Sequence, residues 1–182
     1  MSASSDVLAI GPARLAIVLG DITIIPADAI GNAANSALRG GGGVDGAIHA
    51  AGGPAIMSDL RSRFPGGTPT GTAVATTAGR LPARWVIHAV GPVWQGGQRR
   101  EAELLASAYR SAVRVADELG ASSLTLPAIS AGIYGYPIAE AARIAIATTQ
   151  AELRAATVVR EITFILRDAT LGSFRSALAG VR

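Results

Sequence analysis

An alternation constrains this chain most: short, continuous apolar runs bounded by Gly, Asp or Pro take turns with longer segments whose apolar residues recur at helical spacing. Leu15-Ala16-Ile17-Val18-Leu19, stopped by Gly20-Asp21, is such a run. It offers no face to water, so it must lie between two covering layers, as strands of a parallel sheet do. Ala29 to Ala33, Ala73 to Thr77, Trp85 to Val90, Leu124 to Ile129 and Val158 to Leu166 read as further strands, with Ala73 to Thr77 and Trp85 to Val90 as sheet neighbours. Between them, Val44 to Phe64 reads as two short helices broken at Gly52-Gly53-Pro54. Arg100 to Leu119 carries one apolar stripe and stops at Gly120, Pro137 opens a helix running to about Ala156, and Thr170 to Val181 forms a last short helix. The fold class is therefore α/β: a mainly parallel sheet with helices on both faces, and ligands gathered where the strands end.

The 182 residues, 49% hydrophobic and only 16% charged, suit one compact domain spanning 1–182. With no Cys, disulfides and thiolate metal sites are excluded, and two His far apart in sequence make a poor zinc set, so no structural metal is expected. All sixteen basic residues are Arg and they are dispersed, so a net charge of +3 makes no basic patch, and nucleic acid is not expected as the main partner. The apolar segment Ala9 to Leu19 contains Pro12 and Arg14 and lacks a basic region before it, which argues against a signal peptide and for a cytoplasmic protein. The uncharged run Leu119 to Ala139 is interrupted by Gly, Pro and Ser. It reads as strand, loop and helix start rather than as a membrane span.

Function is concentrated in Gly31 to His49, which joins two amides, a four-glycine run and one carboxylate. Glycines let backbone N–H groups approach an anion, and a helix beginning near Val44 adds the positive end of its dipole. Asn35 and Asp45 supply an amide and a carboxylate beside that anion. The segment lacks the Lys of a P-loop and the spaced glycines of a dinucleotide fingerprint, which disfavours a nicotinamide dehydrogenase. A second Gly-containing loop, Ser130 to Gly135, follows another apolar strand, and two such loops can grip a diphosphate from opposite sides. Asp21, directly after a strand, either caps a turn or accepts from an exocyclic amine. Tyr134 either packs on a sugar face or covers the core. His49 and His88 lie near no Ser or Cys nucleophile and read as structural.

Gly20-Asp21-Ile22-Thr23, Asn32-Ala33-Ala34-Asn35-Ser36, Gly40 to Gly46 with Ala47-Ile48-His49, His88-Ala89-Val90-Gly91-Pro92 and Pro127 to Pro137 together resemble a macrodomain of the MacroD type, in one collinear order from about residue 15 to 168. The bacterial O-acetyl-ADP-ribose deacetylase branch is the nearest in pattern. The resemblance implies a three-layer α/β/α fold with a central mixed, mainly parallel sheet and an ADP-ribose cleft. It also implies an enzyme that needs no cofactor, removes mono-ADP-ribose from acidic side chains of proteins and deacetylates O-acetyl-ADP-ribose. Its partners would be ADP-ribose, its esters and mono-ADP-ribosylated proteins.

By motif, Asp21 would hold the adenine amine with the Ile22 backbone nearby, and Asn35 would bind the distal ribose and share in catalysis. Gly42, Gly43 and Val44 from the first loop, with Ser130, Ala131, Gly132, Ile133 and Tyr134 from the second, would wrap the diphosphate and that ribose. Asp45 would be the catalytic carboxylate, and the adenine would be bordered around Leu166 to Ala169. The chain departs from the pattern at Gly31, where an aliphatic residue is usual, at Ala50, where Arg is common, and at Ala131, where Thr is usual. A non-catalytic ADP-ribose reader and an ADP-ribose 1″-phosphate phosphatase are the alternatives that share this pocket.

Overall fold

The computed structural model describes residues 6–181. Seven strands form one sheet: β1 (Val7–Ile10), β2 (Ala13–Leu19), β3 (Ala29–Ala34), β4 (Ala73–Thr77), β5 (Trp85–Val90), β6 (Ser123–Leu126) and β7 (Glu161–Leu166). Five helices connect or follow them: α1 (Gly43–Gly52), α2 (Pro54–Arg63), α3 (Glu101–Glu118), α4 (Ile138–Ala155) and α5 (Asp168–Gly180). The spatial order is β1-β2-β7-β6-β3-β5-β4. The five inner strands run parallel, and β1 and β4 pair antiparallel to β2 and β5 at the two edges. The sheet is thus mixed and mainly parallel, as expected, and β4 and β5 are indeed neighbours.

Alternation along each strand divides the interior into two cores. Ile30, Val86 and Ile165 point to the side covered by α1 and α2, where they meet Ile48, Ile56 and Leu60. Their neighbours Ala29, Ile87 and Phe164 point to the opposite side and pack with Leu105 and Tyr109 of α3, Ile146 of α4 and Phe174 of α5. Three layers result, and the run Leu15 to Leu19, expected to be covered throughout, leaves Val18 and Leu19 exposed at the end of β2, whereas β3, β5, β6 and β7 are buried on both faces. That is why the central strands read as unbroken apolar runs.

Several boundaries differ from the sequence reading, each for a local reason. The segment from Ala9 to Leu19 is a hairpin rather than a single strand entered at Leu15: Gly11 takes φ +57, and Pro12 has its φ locked near about −65°, the signs of a type II′ turn. The strand expected through Ile129 ends at Leu126, because Pro127 has no N–H to continue the ladder. The strand expected from Val158 begins at Glu161. Asp117, at the end of α3, accepts the N–H groups of Thr157, Val158 and Val159 and takes them out of the ladder. Helix α5 starts at Asp168, two residues before the expected Thr170.

The departure at Gly31 also has a packing reason. A Cβ there would sit 2.6 Å from Leu126 Cδ2 and 3.0 Å from the Thr125 carbonyl oxygen. Leu126 of the adjacent strand already fills the space that an aliphatic residue would take.

Candidate functional site

One cleft of about 670 Å³ opens at the carboxyl ends of the parallel strands. This is where a parallel sheet leaves a crevice, because the connections from its strands depart to opposite faces. All twelve residues expected at a binding site line it: Asp21 and Ile22 after β2, Asn35 after β3, Gly42 to Asp45 at the start of α1, and Ser130 to Tyr134 after β6. Leu166, Arg167 and Ala169 border it as well, at the end of β7.

Asp45 lies in the first turn of α1 and is only 6% exposed. Its Oδ1 accepts a 2.6 Å hydrogen bond from Asn32 Nδ2, while its Oδ2 is buried with no partner among the described residues. Behind it stands a polar column. The second hydrogen of Asn32 Nδ2 goes to His88 Nδ1 at 3.1 Å, and His88 Nε2 lies 2.9 Å from Thr76 Oγ1. Since the Thr76 hydroxyl donates to the Thr77 carbonyl, it accepts from His88, and the network assigns the ring as neutral with its proton on Nε2. Burial in this column, with the His49 ring nearby, pushes the His88 pKa down to about 4.

Burial also works to raise the Asp45 carboxyl. The adjacent His49 ring and the Asn32 amide outweigh it, so the group sits below its ordinary value. Asp45 is thus an ionised, oriented carboxylate with one oxygen held and one open. His49 Nε2 is 3.4 Å from the held oxygen but makes no hydrogen bond.

Of the two histidines, His88 is buried and bonded within the column, and His49 stands beside the carboxylate. Asn32 and Thr76 were not singled out as site residues. One signal was available, since Asn32 and His88 are the polar members of two buried strands and are register partners on β3 and β5.

Backbone donors converge on the cleft from two sides. The N–H groups of Gly42, Gly43 and Val44 lie at the open start of α1, before its first internal bonds. Across from them, those of Gly132, Ile133 and Tyr134 make no hydrogen bond among the described residues, although the loop is pinned by Gly135 N to Gly132 O and Tyr136 N to Ser130 O. The two loops approach closely, for a Cβ on Gly42 would lie 3.5 Å from Ile133 Cδ1. Gly46 cannot be larger, because its Cβ would sit 2.7 Å from the Gly41 carbonyl oxygen. Such an array, with a helix N-terminus on one side, suits a diphosphate.

Asn35 holds the first loop in place: its Nδ2 donates to the Gly40 carbonyl at 2.8 Å, and its Oδ1 accepts from the Arg39 N–H. Asp21 caps the turn after β2. Its Oδ1 accepts from the Thr23 N–H and hydroxyl, and these bonds lower its pKa, while its other oxygen has no partner among the described residues and it lines the cleft. Tyr134 is close enough to Asp45 that burial and then the carboxylate charge raise its phenol pKa. Ser130 takes φ +63, and its Oγ is buried without a partner among the described residues. A side chain on Gly91 would collide with that oxygen. Among the described residues, no three His, Asp or Glu side chains cluster as metal ligands.

Three layers around a mixed sheet, with one cleft at the strand ends between two loops, define an α/β/α sandwich. The chain belongs to the macrodomain family, whose Macro domain pattern matches residues 31–145. It is 57% identical over 157 residues to a macro domain-containing protein of Streptomyces griseus, covering 84% of this chain and 87% of the other. Over the same length it is 48% identical to a Salmonella gallinarum protein named O-acetyl-ADP-ribose deacetylase, covering 85% of this chain and 88% of that one. Among solved structures, the Oceanobacillus iheyensis macrodomain with ADP superposes with a TM-score of 0.89 at 39% identity, covering 96% of this chain and 95% of that one. No helix of the described residues is long and apolar enough to cross a membrane.

Proposed function

We propose that this protein binds ADP-ribose and hydrolyses esters at its distal ribose, deacetylating O-acetyl-ADP-ribose and releasing mono-ADP-ribose from acidic side chains of proteins. The observation that carries this reading is Asp45: a buried carboxylate with Oδ1 fixed by Asn32 and Oδ2 free, beside two N–H arrays. A module that only held the nucleotide has no use for an ionised oxygen kept dry at this cost.

In this reading the diphosphate lies between Gly42 to Val44 and Gly132 to Tyr134, and Asp21 accepts from the adenine amine. The distal ribose then lies between Asn35, Asp45 and Tyr134, with Tyr134 shielding it from solvent. Asp45 Oδ2 accepts a hydrogen bond from a water and aims it at the ester carbonyl. As the water oxygen bonds to that carbon, one water proton passes to Asp45 Oδ2 and the negative charge passes to the carbonyl oxygen; on collapse the bond between the acyl carbon and the ribose oxygen breaks. The ribose oxygen takes the proton back from Asp45, and the released acid gives its remaining proton to solvent and leaves as its carboxylate. Asp45 is a weak base when the cleft is empty, and the incoming diphosphate raises its pKa by like-charge repulsion, so basicity arrives with the substrate. The names of the deacetylase relatives support the free-ester half of the reading. The protein-ester half follows from the same bond at the same ribose.

The test is to incubate O-acetyl-ADP-ribose and a glutamate-linked mono-ADP-ribosylated protein with wild type, Asp45→Ala and Asn35→Ala. Wild type should turn over both substrates, and Asp45→Ala neither. Full activity in Asp45→Ala removes the catalytic assignment, and calorimetric binding of ADP-ribose without turnover of either ester makes the protein a reader.

A further inference from the structure

Glu101 is a buried carboxylate that the chemistry above does not use. It opens α3, and the loop ahead of it folds back around it. Oε1 accepts from the N–H groups of Gln95 and Gly97, each at 3.1 Å, and Oε2 accepts from that of Arg99 at 2.6 Å. Gly97, at φ +83, lets the chain pass against the Trp94 ring, since a Cβ there would lie 2.9 Å from its Cη2. The indole on the other side packs against Tyr136, with ring centroids 4.7 Å apart. The main-chain N–H of Trp94 donates to the Tyr134 carbonyl at 2.9 Å, so the ring holds in place the segment that makes this bond. The Glu101 carboxylate thus holds the turn that packs on the Trp94 ring, the ring rests on Tyr136, and the Trp94 main chain bonds into the second cleft loop.

It enters that loop at the residue beside Asp45, away from the Asp21 end. We infer that Trp94 and Glu101 are positioning residues for the distal-ribose end of the cleft, setting Tyr134 and hence the preference for ligands that carry the distal ribose over those that end at the diphosphate. This inference rests on the ADP-ribose reading above. A brace that merely stabilised the fold would affect every ligand alike. One acting through Tyr134 affects only ligands that reach it.

The test compares ADP with ADP-ribose by calorimetry, and O-acetyl-ADP-ribose hydrolysis by kcat and KM, in wild type, Trp94→Ala, Trp94→Phe, Glu101→Gln, Tyr134→Ala and the Trp94→Ala/Tyr134→Ala double variant. Trp94→Ala should weaken ADP-ribose binding and lower kcat about tenfold each, leave ADP binding within about twofold, and be largely rescued by Trp94→Phe. Glu101→Gln, which keeps the side-chain shape and weakens the three bonds, should act about threefold in the same direction and serves if Trp94→Ala does not fold. In the Tyr134→Ala background, Trp94→Ala should add less than about twofold, because both changes act at one place. Equal losses for ADP and ADP-ribose, or additive losses in the double variant, overturn the inference while leaving the proposed function standing. A wild type that binds neither nucleotide overturns both.

Discussion

The two loops that face each other across the cleft are built in opposite ways. The first, from Gly40 to Gly43, is held by its own neighbourhood: Asn35 bonds to Gly40, Gly46 N bonds to Gly42 O, and α1 follows at once. Behind it stands the buried column Asp45, Asn32, His88 and Thr76. The second, from Ser130 to Gly135, has only short internal turn bonds and carries Ile133 at 81% exposure. It takes its position from a distant segment through Trp94. The difference teaches that Asp45 is on the more densely bonded, rigid side, while the opposite loop depends on a brace from elsewhere in the chain.

The largest test of this contrast removes the rigid side's chemistry. Asp45→Asn keeps the shape but not the charge, and hydrolysis of O-acetyl-ADP-ribose should fall by about a hundredfold or more while ADP-ribose still binds in calorimetry. A comparable loss from a conservative change in the second loop, such as Ile133→Val, would erase the distinction.

Acid should loosen the first side and spare the second. The fold holds the His88 pKa at about 4 against about 6.5 for a free ring, so between those values the unfolded chain binds a proton that the fold refuses. Stability from this group is whole above about pH 6.5 and falls as pH drops towards 4, by roughly 3 kcal/mol at the low end. Urea titrations of wild type and His88→Gln across that window check it. The wild-type slope should be steeper, and identical pH profiles would remove His88 as the cause.

A smaller change presses on the first loop itself. Gly46→Ala places a methyl against the Gly41 carbonyl, which should cost about 1–3 kcal/mol in chemical denaturation and weaken ADP-ribose about tenfold as the N–H array shifts. The smallest effect belongs to Gly135→Ala, where φ is +69 and nothing crowds the site. Only the left-handed backbone penalty of about 1 kcal/mol is expected, with ADP-ribose affinity nearly unchanged. If Gly135→Ala weakened the ligand more than Gly46→Ala, the second loop would be the rigid one.

Much of this was legible beforehand, and what escaped has a common cause. The inner strands announced themselves as short apolar runs such as Leu15 to Leu19, although Val18 and Leu19 at the end of that run are exposed, and α3 because its apolar positions keep one stripe. Strand β1 escaped since four residues carry too little periodicity, and its partner is fixed only by the turn at Gly11. The early end of β6 and the late start of β7 turn on Pro127 and Asp117, whose effects depend on what they meet in space.

By itself, the sequence determined the fold class and the place of the two glycine-bearing loops, because periodicity, glycine and chain order are local properties; the twelve cleft residues come from the motif resemblance to macrodomains. Tertiary structure alone decided that Asn32, His88 and Thr76 stand behind Asp45, that His49 sits beside it, and that Trp94 and Glu101 brace the opposite loop. Those contacts join residues far apart along the chain. A hydrogen bond depends on distance and direction, which exist only once the strands have paired and the helices have packed.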